Sequence, residues 1–276
     1  MKKTLLFVLT LILAWIPVWG LGAEKRSALD EMDMSRMVSG YVEVPGRGPV
    51  YYYAQNDPLW GQMAFRFPNQ RNTPLFSGSG CVPSSLANAF TNLADDAALA
   101  RILDASYQEN GYYICPCSMT RKGCYQNHSR FQVQEKEDVK HFLSLIIGAY
   151  MAGNNPRGEF MNGNFSMVWE LAELFGVSCT RVKEDIRAAA RAVSQGAMAI
   201  LLVGGPDCPF TQTGHALVLC GVGEEEYYFL DSFRREVYEL DRFNSVRVIA
   251  PGLVAVPKDK VFRLGAYEIY ILAQPE

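Results

Sequence analysis

Cys81 stands where a loop gives way to a helix. It follows Gly80, and Pro83, which suits the first turn of a helix because it has no backbone N–H, comes two residues later. Apolar residues then recur at helical spacing over residues 86–93. Free N–H groups and the helix dipole at such an N-terminus stabilise a thiolate, which is the nucleophilic form of Cys. Cys81 is therefore a candidate nucleophile, the alternative being a small buried Cys that covers the start of the helix.

His215 and Asp231 stand at the ends of two successive apolar runs. His215 directly precedes the run 216–222 and follows a polar loop, while Asp231 closes the run that begins at Tyr227. If the two runs are antiparallel neighbours, the end of the second lies beside the start of the first. We therefore predict that Asp231 accepts a ring N–H of His215 and fixes the tautomer and orientation of the imidazole. The alternatives are a core His with satisfied hydrogen bonds and an ordinary Asp at a strand end.

Gln55 lies 26 residues before Cys81, between a short run of aromatic residues and a turn. Its amide, together with the backbone N–H of Cys81, is suited to binding the oxyanion of an acyl-transfer intermediate. A Gln in a turn also occurs for structural reasons alone. Taken with His215 and Asp231, the set predicts nucleophilic attack on a carbonyl and a thioester intermediate.

The elements that must position these residues change in type along the chain. Helical periodicity predicts helices near residues 86–93, 137–152, 165–175 and 183–195. Short apolar or β-branched runs predict strands at 50–53, 197–203, 216–222, 227–230, 246–254 and 267–272. The predicted fold class is α+β, with a helical first half that carries the nucleophile at a helix N-terminus and an antiparallel sheet in the second half.

The first 22 residues have the three-part pattern of a secretory signal peptide. Lys2 and Lys3 precede an apolar run over residues 5–19, and small residues follow before the charged residues 24–26. We predict an N-terminal extension over 23–49 and one domain over 50–276. The expected location is secreted or periplasmic, with membrane contact only through the transient signal peptide.

The charge balance argues against nucleic acid as a partner. The formal net charge is −3, and loss of the two lysines of the signal peptide makes the chain more acidic. Binding to nucleic acid requires a concentrated basic patch, and the sequence has none.

Five segments resemble one family of papain-fold cysteine peptidases, the bacteriocin-leader-peptidase-like family (peptidase family thirty-nine of the cysteine peptidases). These segments are 53–60 around Gln55, 80–86 around Cys81, 195–201, 214–219 around His215 and 229–232 around Asp231. The order Gln, Cys, His, Asp and the 134 residues between Cys and His match the papain type, in which the partners follow the Cys by about 130–150 residues.

The resemblance covers roughly residues 50–235. It implies a papain-like fold, cleavage of peptide bonds in a peptide or protein substrate, and a Cys81–His215–Asp231 triad with Gln55 in the oxyanion hole. No cofactor and no metal are expected. Two features depart from the family pattern: Val82 stands where relatives typically have a second Gly, and the segment from Cys115 to His128 is an insertion.

Seven cysteines in an exported chain predict disulfides and one free thiol. Three bridges among the other six would leave Cys81 free, with the pairing left open; the six are Cys115, Cys117, Cys124, Cys179, Cys208 and Cys220. A zinc site is the alternative for the insertion, since Cys and His are good zinc ligands; its members would be Cys115, Cys117, Cys124 and His128.

Two other functions use the same residues. An amidase or acyl transferase acting on cell-wall peptides passes through the same thioester. A papain-like domain that only binds peptide would keep the fold without turnover.

Overall fold

The structure is a computed structural model. It describes residues 33–62, 75–95, 97–98, 140–154 and 166–275. The predicted signal peptide and the Cys115–His128 insertion lie outside the described residues, and so does the zinc site considered for that insertion.

The described part of the chain contains five α-helices. They are α1 (Phe76–Ser79), α2 (Cys81–Leu93), α3 (Leu143–Asn154), α4 (Ser166–Leu174) and α5 (Ile186–Ser194). Helices α2 to α5 correspond to the four that periodicity predicts. The single turn α1 lies in a stretch predicted as loop, and it ends where the N–H of Gly80 donates to the carbonyl oxygen of Phe76 at 2.6 Å. Gly80 is required there because a Cβ would lie 2.6 Å from the Phe76 ring.

The described residues also form nine strands. They are β1 (Gly40–Val44), β2 (Gly48–Tyr52), β3 (Ser178–Arg181), β4 (Met198–Val203), β5 (His215–Val222), β6 (Glu226–Asp231), β7 (Arg247–Ala250), β8 (Leu253–Pro257) and β9 (Glu268–Ala273). Strands β1 and β2 form a hairpin, and the other seven form one antiparallel sheet in the order β3-β9-β4-β5-β6-β8-β7. The α+β prediction is confirmed, with most of the helical residues before the sheet.

Strands β4 and β5 are apolar at almost every position, and their residues are buried on both faces of the sheet. Helices α2, α3 and α4 and the β1–β2 hairpin contribute to the core on one face. Helix α5 lies on the other face and buries Ala189, Ala190 and Val193. This arrangement holds the N-terminus of α2 against the end of the sheet where β5 begins.

The β1–β2 hairpin begins within the predicted N-terminal extension. Strand β1 buries only Val44, so its sequence carries little apolar signal. The turn between the two strands begins at Pro45. The Arg47 guanidinium fixes this turn by donating to the carbonyl oxygens of Gly196, Ala197 and Cys220 at 2.8, 2.7 and 3.2 Å. The described residues before 50 therefore contribute to the core.

The structure also differs from the predicted strands in two places. The run 246–254 is two strands, β7 and β8, joined by a turn at Gly252, whose φ of +84° favours glycine. Strand β3 has no counterpart among the predicted strands because none of its four residues is fully buried.

The structure does not support the disulfide prediction for Cys179, Cys208 or Cys220, and Cys81 is free as predicted. Cys81, Cys179, Cys208 and Cys220 are all free thiols. Cys208 and Cys220 belong to the cores on opposite faces of the sheet. Cys179 lies on β3, three strand spacings or about 14 Å from β5, whereas the two Cα atoms of a disulfide lie within about 7 Å.

Among the described residues, no helix is both long and apolar enough to cross a membrane.

Candidate active site

The pairing of β5 with β6 brings His215 and Asp231 together. Leu217 of β5 lies opposite Asp231, so the first residue of one strand and the last residue of the other share an end of the sheet. His215 Nε2 lies 2.6 Å from Asp231 Oδ1. Because an ionised carboxylate only accepts hydrogen bonds, Nε2 is the protonated nitrogen in this pair. The other ring nitrogen is then left to face Cys81.

Cys81 is the first residue of α2, and Gly80 caps the helix without a side-chain hydrogen bond. The charge of the half-buried thiol acts on His215 and contributes to the pKa of the imidazole. The first N–H groups of a helix have no intrahelical partner, and the helix dipole favours negative charge at this end. Cys81 thus lies at a helix N-terminus, within electrostatic range of the His215–Asp231 pair.

The charge state of His215 follows from its neighbours. Burial lowers the pKa of His215, but the charge and hydrogen bond of Asp231, with a smaller contribution from Cys81, raise it by more, to about 9. The imidazole is therefore positively charged through neutral pH. A cationic imidazole next to a thiol is suited to stabilise the thiolate and to donate a proton.

The loop that follows β6 holds the Asp231 carboxylate. Oδ1 also accepts the backbone N–H of Phe233 at 2.9 Å, and Oδ2 accepts the hydroxyl of Tyr238 at 2.8 Å. Arg235 Nε lies 3.8 Å from Oδ2. Burial and the charge of Asp231 raise the pKa of Tyr238, so the phenol stays protonated and acts as a donor. Sequence reasoning missed Tyr238 and Arg235 because a loop carries no periodic signal.

Gln55 links the segment just before Cys81 to the segment just after Asp231. Its Nε2 donates to the carbonyl oxygen of Ser77 at 2.6 Å, on the short helix just before Cys81. Its Oε1 accepts the hydroxyl of Ser232 at 2.9 Å, and its backbone N–H donates to the Ser232 carbonyl at 2.7 Å. An amide NH₂ has two hydrogens, so one remains for another acceptor.

Asp57 fixes the loop that carries Gln55. The fully buried carboxylate accepts the backbone N–H groups of Val38 and Ser39 at 2.9 and 2.8 Å and the Ser39 hydroxyl at 2.8 Å, and it also accepts the N–H of Leu59 at 3.0 Å. The N-terminal segment thereby holds the Gln55 loop in one position.

The aromatic residues near Gln55 are structural. Tyr51, Tyr52, Tyr53 and Trp60 are all buried, so they pack in the core. Trp60 Nε1 donates to the carbonyl oxygen of Ala54 at 2.8 Å, directly before Gln55.

His141 does not join this site. His141 Nδ1 lies 3.0 Å from the hydroxyl of Tyr51, and His128 lies outside the described residues. Across the described ranges, no group of three or more His, Cys, Asp or Glu side chains is arranged to hold a metal ion.

Comparison with known proteins gives few matches. No model of a known protein family matches the chain, and no curated protein is significantly similar to it. One similar solved structure is the crystal structure of a protein from Bacillus anthracis that is provisionally described as a C39-like peptidase. The match has 15% identity and a TM-score of 0.28, and it covers 40% of this chain and 58% of the other.

Proposed function

We propose that this chain is an exported papain-like thiol peptidase that cleaves peptide bonds with Cys81 as nucleophile. The observation that carries the proposal is the 2.6 Å contact between His215 and the buried Asp231 carboxylate, with Cys81 at the N-terminus of α2 close enough to His215 to affect its pKa. The sequence motifs around these three residues and Gln55 support the same assignment, and the predicted signal peptide supports export.

In the proposed acylation step, the Cys81 thiolate adds to the carbonyl carbon of the scissile peptide bond, and the carbonyl π electrons move to oxygen. The second Nε2 hydrogen of Gln55 and the backbone N–H of Cys81 bind this oxyanion. The His215 imidazolium donates its proton to the leaving nitrogen, the C–N bond breaks, and a thioester forms.

In deacylation, the now neutral His215 takes a proton from water as the oxygen attacks the thioester. The tetrahedral intermediate collapses, the C–S bond breaks, and the thiolate–imidazolium pair is restored. Asp231 holds the ring in one orientation and stabilises its charge throughout both steps.

Alkylation with iodoacetamide across pH 4 to 9 tests the activated pair. We expect mass spectrometry to find Cys81 labelled at pH 6, where an ordinary thiol with a pKa of about 8.5 is almost wholly protonated. Burial raises the pKa of Cys179 to about 11 and of Cys220 to about 12, and it also raises the pKa of Cys208, so these thiols label slowly.

The matched variants for this experiment are His215→Ala and His141→Ala. The first should remove the labelling of Cys81 at pH 6, and the second should retain it because His141 hydrogen bonds to Tyr51 instead. If Cys81 in the wild-type protein is labelled only at the pH values where an ordinary thiol reacts, the assignment is refuted.

The variant Asp231→Asn is expected to move the upper pH limit of peptide cleavage downward. It removes the charge that raises the pKa of His215 to about 9 and leaves the burial that lowers it. If the pKa falls to the unperturbed 6.5, the imidazolium fraction at pH 8 falls about 30-fold, and kcat/KM falls with it.

The pH profile of kcat/KM checks this expectation, and Asp207→Asn is the control because Asp207 is an exposed carboxylate on the loop before β5. An Asp231→Asn enzyme whose activity still extends to pH 9 would show that Asp231 does not set the charge of His215.

A further inference from the structure

Tyr267 lies at the same end of the sheet as His215. Its backbone N–H donates to the carbonyl oxygen of Leu202 at 3.0 Å, directly before β9 begins. Strand β9 pairs with β4, and Val203 of β4 lies opposite His215 of β5. Tyr267 is therefore two strand spacings, or about 10 Å along the sheet, from the backbone of His215.

The Tyr267 side chain reaches back across this distance toward the nucleophile. Its hydroxyl lies 3.6 Å from the position of a Cβ on Gly214, the residue before His215. Burial raises the pKa of Tyr267, and the charge of Cys81 raises it further, which places the hydroxyl within electrostatic range of the thiol. The ring nevertheless remains 45% exposed.

The backbone that carries Tyr267 is held rigidly. The N–H of Gly204 donates to the carbonyl oxygens of Leu264 and Gly265 at 3.2 and 3.3 Å, and Leu264 is fully buried. Gly265 has a φ of +57°, a left-handed conformation that favours glycine. Tyr267, half exposed, thus follows a loop that hydrogen bonds tie to the end of β4, and its hydroxyl lies next to Gly214.

We propose that Tyr267 is a specificity-determining residue that forms the sheet-side wall of the substrate cleft. Its ring contacts the substrate side chain next to the scissile bond and selects peptides with an apolar residue at that position. Gly214, directly before His215, adds no side chain next to the Tyr267 hydroxyl. This proposal rests on the proposed peptidase function.

The test compares the cleavage of a synthetic octapeptide library by the wild type, Tyr267→Ala and Tyr267→Phe. Loss of one apolar contact in a specificity pocket changes discrimination by about 10–200-fold. Tyr267→Ala should lower kcat/KM for the best wild-type substrates by at least about 10-fold and relax the preference for an apolar residue. Tyr267→Phe keeps the ring and should retain the preference.

Two controls separate specificity from damage to the site. The alkylation rate of Cys81 by iodoacetamide should stay the same within about twofold in Tyr267→Ala, because this small reagent needs no side-chain contact. Phe262→Ala removes another aromatic side chain, 70% exposed and in contact with Arg263, and should leave the cleavage profile unchanged.

The outcomes distinguish this proposal from the one on which it rests. A wild-type chain that cleaves the library, with an identical profile for Tyr267→Ala, would overturn the role of Tyr267 alone. A wild-type chain that cleaves no peptide and shows no selective alkylation of Cys81 would overturn the peptidase function and the role of Tyr267 with it.

Discussion

Cys81→Ala is expected to abolish peptide cleavage, with a loss of at least about 10⁴-fold in kcat, while the protein keeps its fold. The substitution removes the sulfur atom that forms the proposed thioester. The fold should persist because Ala is a strong helix former and because the half-buried side chain of Cys81 contributes little to the core. Cleavage of the octapeptide library and thermal unfolding by circular dichroism measure the two effects separately.

Cys179→Ser is the matched control for this variant. Cys179 is also a half-buried free thiol, but it lies on the edge strand β3, three strand spacings from β5. Its replacement should leave cleavage near the wild-type rate. Full activity in the Cys81→Ala variant would mean that the reaction does not proceed through this thiol, and a structural role for Cys81 at the helix start would then be the better account.

Much of the architecture could be predicted because its signals are local. The run of apolar residues in β4 and in β5 indicates strands buried on both faces, and the structure covers both faces with helices. The helical spacing of α5 indicates one apolar face, and that face packs on the sheet. The positions of His215 and Asp231 at opposite ends of successive strands also predict their contact, since antiparallel pairing alone brings those ends together.

The parts that could not be predicted depend on contacts between distant segments. Strand β1 exposes most of its residues, so only its pairing with β2 reveals it. Tyr238 donates to Asp231 because an irregular loop folds back over the end of β6, and no spacing rule describes that loop. The disulfide expectation finds no support among the described cysteines, and its weakness is related: the count of cysteines carries no information about which face of the sheet each one occupies.

These unpredicted contacts explain why the site is rigid. Asp231 is fully buried and accepts hydrogen bonds from three different residues, while Arg235 lies within ion-pair distance. A buried carboxylate costs free energy unless its acceptor sites are filled, so the loop after β6 stabilises the charged form that His215 requires. The motif around Asp231 identifies the carboxylate, and only the structure reveals the donors that surround it.

Gln55→Ala is expected to lower kcat for peptide cleavage by about 10²–10³-fold, the usual loss when one oxyanion donor is removed. The amide is already oriented in the free protein, because Ser77 accepts one Nε2 hydrogen and Ser232 donates to Oε1. One Nε2 hydrogen therefore remains for an oxyanion formed at Cys81. Single-turnover kinetics on the best library peptide would assign the loss to the chemical step.

Two comparisons make the result specific to the oxyanion. Alkylation of Cys81 by iodoacetamide displaces iodide without forming an oxyanion, so its rate should change by no more than about twofold in Gln55→Ala. Ser232→Ala removes the hydrogen bond to Oε1 but keeps the Nε2 donor, so its effect on kcat should be smaller than that of Gln55→Ala. If Gln55→Ala slows alkylation as much as cleavage, then Gln55 acts by supporting the loop before Cys81, through its bond to the Ser77 carbonyl, and the oxyanion must be bound by backbone N–H groups alone.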